Sequence, residues 1–395
     1  MTEEPVPAPS PTPPPSAARL FLSFLRLGLT AFGGPAMVAH IRVLAVEKRK
    51  WLDDEAFRSG VALCQTIPGA TAMQTSAYVG LRTRGVRGAA ASFVGFALPA
   101  FVLMLVLSAL YARFQSASQV ASTFGGLRAM VMALIAHAVF YFGKAYLRRW
   151  QDFLIAPVAG VLFWIGLNPI LVILSCFLLG MILRFTEKQT LPGRRSGVER
   201  FPLKSVIFIV SAAVVLLVGL FFLDGLLFRL SLLMLRIDLF AFGGGFASVP
   251  FMLHEVVEVR HWVEPKVFID GMALGQVTPG PIVITATFVG YVVRGVWGAL
   301  IATASIFLPS FLLVISVAPV FLRLNSFSLF RKGIAGVLCS FVGLLASAAL
   351  RLGTSLTWDV PRIVLAAAAF AALMFRVNLL WIVLGVVILS LVFRF

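Results

Sequence analysis

The chain has 395 residues, 60% of them apolar and only 12% charged, and its mean hydropathy is +0.99. Soluble domains carry about 25% charged residues and about 45–50% apolar ones. A cytosolic enzyme, a disulfide-stapled secreted scaffold and a disordered chain are therefore excluded, and an all-α polytopic membrane protein is expected. Lys and Arg number 33 against 16 Asp and Glu, a net charge of +17. These cations sit between apolar runs, where they set topology and meet lipid headgroups rather than nucleic acid. The excess also favours the approach of an anion. Cys64, Cys176 and Cys339 stand alone in apolar surroundings, so neither a disulfide, a metal site nor any cofactor is expected.

In chain order, residues 1–18 hold seven prolines and read as a disordered, solvated tail. A first repeat is expected over 19–185. Residues 186–228 form a basic cytoplasmic linker and a connecting transmembrane helix, and a second repeat occupies 229–395. Within the repeats, apolar runs are split by short basic loops, and several runs fall short of the ~20 residues a span needs.

The two repeats are copies. Ala31-Phe32-Gly33-Gly34 recurs as Ala241-Phe242-Gly243-Gly244, and Arg26 matches Arg236, at an offset of 210 (241 − 31). Trp51, Gln65, Pro68 and Gly69 match Trp262, Gln276, Pro279 and Gly280 at 211 (262 − 51). Equivalent loops carry opposite basic bias. Arg82, Arg84 and Arg87 face only Arg294, whereas Arg113 faces Arg323, Arg331 and Lys332. The positive-inside rule then makes the repeats inverted, an architecture that places substrate near the midplane at the repeat interface. Inversion requires an odd number of crossings between the starts of the copies. The extra run 205–223 supplies one, so the interrupted runs 20–46 and 60–81 either both cross or both re-enter. Five basic residues between them, Arg42 to Arg58, favour re-entry on the cytoplasmic side.

Glycine and proline inside these runs break helices. Freed backbone groups at membrane depth are tolerated only against protein or a watery cavity, and a half-helix N-terminus offers N–H groups and partial positive charge to an anion. Phe32, Gly33, Gly34 and Pro35, and Phe242, Gly243, Gly244 and Gly245, are thus candidate binding positions. So are Gln65, Thr66, Pro68 and Gly69 with Gln276, Thr278, Pro279 and Gly280, where an amide and hydroxyls can bond the oxygens of a tetrahedral anion. Arg26 and Arg236 lie within apolar runs and are candidates to offset its charge, with snorkelling to the interface as the alternative. Asp238, opposite Gly28 in the first copy, either couples protons or neutralises an arginine. Glu47 and Glu258, beside interfacial tryptophans, and Arg84 and Arg294 are coupling or gating candidates, with surface pairing and topology as the plainer readings. His254-Glu255-Val256-Val257-Glu258 lacks the second histidine of a zinc-protease helix. No nucleotide-binding glycine motif or paired acid/base constellation occurs, so an enzyme is not expected.

These residues resemble the chromate ion transporter family, in its long form with two fused homologous halves. The resemblance rests on Phe32-Gly33-Gly34-Pro35 with His40, Glu47 through Trp51, Gln65 with Pro68-Gly69, and Arg84-Gly85-Val86-Arg87-Gly88, with second-half counterparts from Phe242 to Gly298. It adds His40 to the candidate site. It implies export of chromate, a divalent tetrahedral oxyanion, across the bacterial cytoplasmic (inner) membrane by a secondary active carrier that confers chromate resistance. Sulfate or another oxyanion, and an anion channel, are the alternatives, and a homodimer is compatible with the reading. The chain departs from the family at Ala70, where Pro-Gly-Pro is more usual, and in the second half, which lacks counterparts of Pro35 and His40.

Overall fold

A computed structural model describes residues 15–32, 36–115, 117–183, 202–319 and 327–393. Gly33, Gly34 and Pro35, most of the proline tail and linker residues 184–201 lie outside the described residues. The described residues are helical and contain no strand.

Repeat one opens with α1 (Ala17–Thr30), capped by Ser16, whose hydroxyl accepts the Arg19 N–H at 3.1 Å. Beyond the glycine break comes α2 (Ala36–Arg42), which widens into a π-helical turn, Val43–Lys48. Next is α3 (Asp54–Thr66), capped by Asp53. After the Pro68-Gly69 break, α4 (Thr71–Phe114) runs to a sharp reversal at Arg84 and Gly85, where Gly85 takes φ +61°. Its two limbs are antiparallel: Ser92 donates to Ser76 O at 2.7 Å, and a Cβ on Gly80 would lie 2.2 Å from Gly88 O. Likewise a Cβ on Gly60 of α3 would strike the Tyr78 ring. Thus α3 and the first limb of α4, each ~20 Å long at 1.5 Å per residue, enter and leave on one face as a re-entrant hairpin. The second limb, 86–114, is long enough to cross. Then come α5 (Ser118–Tyr146), α6 (Asp152–Trp164) and α7 (Pro169–Leu183), followed by the connecting helix α8 (Leu203–Leu223).

Repeat two repeats the plan. It comprises α9 (Gly225–Leu239), α10 (Ser248–Met252) with the π turn Leu253–Val259, α11 (Pro265–Val277), α12 (Thr285–Val317), α13 (Ser328–Thr354), α14 (Val360–Met374) and α15 (Leu379–Phe393). Arg236 on α9 reaches Glu255 on the π turn at 3.8 Å. Had the chain continued straight through the break, 19 intervening steps would separate them by ~28 Å, so this element also folds back. The reversal at Arg294-Gly295 copies the one at Arg84-Gly85, with Gly295 at φ +58° and Thr287 bonded to Thr303 at 2.7 Å.

The repeats are inverted. Helices α5 and α13 are equivalents, yet they pack antiparallel: Phe142 near the end of α5 meets Phe341 at the middle of α13 (ring centroids 5.1 Å apart), while Gly353 at the end of α13 lies against Met132, nearer the middle of α5. The short hairpins are exchanged across this pair. Helices α6 and α7 pack on α13 of the other repeat, and α14 and α15 on α5. Small residues permit the approach, since a Cβ on Gly343 would lie 1.9 Å from Ala156 O and one on Gly180 would meet the backbone of Gly336. Five helices among the described residues are long and apolar enough to cross a membrane, and the protein is a multi-pass membrane protein.

Candidate transport site

The two breaks of one repeat are stitched to those of the other. Gly69 N–H donates to Ala241 O at 2.9 Å, and Gly280 N–H donates to Ala31 O at 3.2 Å. Gly69 and Gly280 take φ values of +113° and +130°, a region that disfavours any side chain. Each bond pairs a donor at one break with an acceptor beside another inside protein, where lipid-exposed groups would be costly.

Above this crossing point lies a cavity of 870 Å³. Gln65, Thr66 and Thr71 line it from repeat one, and Gly243, Gly244, Gly245, Gln276 and Gly280 from repeat two. At its floor a Cβ on Gly244 would come within 3.2 Å of Thr71 Oγ1, so the two repeats meet at the start of α4. The Gln276 amide is buried and its Nε2 has no hydrogen-bond partner. An unpaired buried donor of this kind is costly unless a partner reaches it. Tyr141, Phe142 and Tyr146 of α5 form the side wall, and Arg42, Arg58 and Arg148 stand at the mouth. Arg42 is held by Glu47 and Asp54, each at 2.7 Å, and Arg58 by Asp54.

The other sequence-predicted residues fall elsewhere. Thr66 Oγ1 bonds Ala62 O, and the buried Thr278 bonds Gly275 O. Pro68 is packed into its break, where its carbonyl accepts from Gln74, and Pro279 is buried in the equivalent break. Phe32 and Phe242 are half-buried. Arg26 and His40 are exposed and outside the cavity lining, and Arg236 turns into a separate groove between α8, α9 and α12. Asp238 contacts no arginine; it accepts the Ser310 N–H at 2.8 Å. Glu258 pairs with Arg351 and His254, Arg84 reaches Pro15 O, and Arg294 binds Asp224 at 2.8 Å. Sequence reasoning treated Arg42, Arg58 and Arg148 as topology signals only and passed over Thr71, Tyr141 and Tyr146, which have no matching residue in the second copy.

On the opposite face the equivalent of this cavity is filled. Ile269 and Ala273 of α11 are wholly buried, whereas Arg58 and Ala62 at the matching positions of α3 are exposed. Asp270 there binds Arg128 at 2.6 Å and Tyr111 at 2.8 Å.

The profile of the chromate transporter family matches the chain twice, over residues 18–181 and 228–391. The chain belongs to the chromate transporter family. It is 40% identical over 93% of its length to an uncharacterized transporter of Methanocaldococcus jannaschii, covering 92% of that protein. A chromate transport protein of Cupriavidus metallidurans is 30% identical, with 90% of this chain and 87% of that protein covered. One of Pseudomonas aeruginosa is also 30% identical, with 90% and 86% covered. No solved structure matches the chain. In this transporter family member, the doubled profile coincides with the two inverted repeats whose breaks build the cavity.

Proposed function

We propose that the protein is a secondary active carrier that exports chromate across the bacterial cytoplasmic membrane and so confers chromate resistance. The observation that carries this reading is the cavity at the repeat interface, open on one face and filled on the other. It combines an unpartnered amide donor, hydroxyls and glycine-exposed backbone at its floor with arginines at its mouth, a donor set suited to an oxyanion. The relatives from Cupriavidus metallidurans and Pseudomonas aeruginosa, named as chromate transport proteins, support chromate as the cargo. The cavity's face carries Arg42, Lys48, Arg49, Lys50, Arg58, Arg148 and Arg149, so the positive-inside rule makes it cytoplasmic, the side from which an exporter loads. Closure of the other face supports a carrier over a channel. In this reading the repeats span 19–185 and 229–395 and rock against each other to expose the site alternately. Gln276 and Thr71 contact the anion, and Arg42, Arg58 and Arg148 draw it in, in place of Arg26 and Arg236.

Chromate flux into everted membrane vesicles tests this. Saturable accumulation that collapses with an uncoupler is expected. Flux specific to sulfate would retain the fold and change the cargo, and flux that neither saturates nor accumulates would indicate a channel.

A further inference from the structure

Asp238 is the penultimate residue of α9, just before the break that builds the cavity floor. It is 0% exposed. Its Oδ2 accepts the Ser310 N–H at 2.8 Å, and its Oδ1 has no partner. Ser310 Oγ in turn accepts the Ala70 N–H at 3.1 Å, and Ala70 lines the cavity. One serine therefore separates this carboxyl from the cavity wall.

The pseudo-symmetric position has none of this. Asp238, Ser310 and Ala70 correspond to Gly28, Ala100 and Pro281. A Cβ on Gly28 would already lie 2.6 Å from Phe96 O, Ala100 has no hydroxyl, and Pro281 has no N–H to donate. All three links are polar on one side of the two-fold and absent on the other. Ala70, the position at which the chain departs from the Pro-Gly-Pro pattern, is the one that supplies the donor.

Among the described residues no counter-charge pairs with the carboxylate. On its own helix, Arg236 pairs with Glu255 of the π turn that folds back along it, and Arg229 lines the outer groove. On that turn His254 pairs with Glu258. On α12, Arg294 binds Asp224 at the far end, where Tyr291 also lies one turn away, and α8 carries only Lys204 in its first turn. The Pro68–Ala70 break, joined to Asp238 through Ser310, holds no titratable group. A buried carboxylate without a countercharge favours the protonated form, and an ionisable group at membrane depth is costly unless it is used.

Building on the carrier reading, we propose that Asp238 is the proton-binding group that couples chromate movement to the proton gradient, with Ser310 transmitting its charge state to the cavity wall at Ala70. Protonation neutralises the carboxyl; loss of the proton leaves a charge that tightens its bond to the Ser310 N–H and alters the packing of the break.

The test uses the full chain in liposomes, with radiolabelled chromate and an internal pH dye. Wild type should show both chromate exchange at equal pH and accumulation driven by a pH gradient, with proton movement. Asp238→Asn should lose gradient-driven accumulation while exchange persists. Ser310→Ala keeps the backbone N–H that Asp238 accepts but loses the hydroxyl that Ala70 N–H reaches, so exchange should persist while gradient-driven accumulation weakens. Gradient-driven accumulation by Asp238→Asn with an unaltered pH profile would overturn the proposal, as would a wild type that exchanges chromate without moving protons. Should Asp238→Asn fail to fold, undiminished gradient-driven accumulation in Ser310→Ala overturns it instead. Absence of chromate exchange in wild type would defeat the carrier reading itself, a result separable from the others.

Discussion

Gln276 and Gln65 occupy equivalent positions but unequal surroundings. Gln65 is exposed at the cavity wall, whereas Gln276 is buried with a free Nε2. A hydrogen bond to a charged partner contributes about 1.5–3 kcal/mol, and a tenfold change corresponds to about 1.4 kcal/mol. Gln276→Ala should therefore raise KM for chromate by about 10- to 100-fold, and Gln65→Ala by much less, in vesicle transport kinetics. Equal effects would place the anion nearer the mouth than the floor. Both glutamines were legible in the sequence because duplication kept them in register beside Pro-Gly. Arg148, Tyr141 and Thr71 were not. Their counterparts are Trp358, Arg351 and Ile282, so no repeat marks them, and only the open state of one face brings them to the site.

At the scale of the elements, α3 and α11 show what distinguishes the two faces. The same limb is solvent-lined in one repeat and packed shut in the other, with Asp270 of α11 locked to Arg128 and Tyr111 across the repeat interface. Glu258 of the π turn, likewise, is locked to Arg351 of α13, whose guanidinium also bonds Phe163 O at 2.7 Å. Removing one partner of a buried ion pair costs about 3–5 kcal/mol, because the other charge is left uncompensated. These locks should thus bias the protein towards the state open on the Arg42 face. A cysteine at Ala62 should react with a membrane-impermeant maleimide from that face, and one at the equivalent Ala273 should not. Adding Asp270→Asn should make the Ala273 cysteine reactive from the opposite face. If it stays protected while transport is unchanged, the Asp270 pair is no seal. The breaks in these elements were legible from glycine and proline inside apolar runs, and their re-entry from the crossing parity and the basic residues between the runs. The π turns were not, since a widened turn leaves no periodic signal over six or seven residues.

For the whole molecule, the exchange of hairpins decides how the two halves depend on each other. In sequence each half reads as self-contained, because matching residues follow one another in the same order. Which α5-type helix receives which hairpin is a non-local choice that no local pattern records. In the folded protein, Gly160 and Gly180 of repeat one lie against Gly343 and Gly336 of repeat two, while Ser122 and Gly126 of repeat one meet Ser390 of repeat two. Lipid supplies no hydrophobic drive for helix association, so close packing at these small residues must hold the halves together. A half expressed alone would leave its hairpin without its seat and its long central helix without cover. It would also lose the backbone bonds from Gly69 to Ala241 and from Gly280 to Ala31, exposing unpaired groups at membrane depth. Cutting the chain within 184–201 and expressing both pieces together should therefore restore chromate transport and allow the pieces to be purified as one complex. Either piece alone should be degraded and inactive. A stable, transporting half would show that the exchanged hairpins are dispensable, and that the cavity can be assembled from two copies of one repeat.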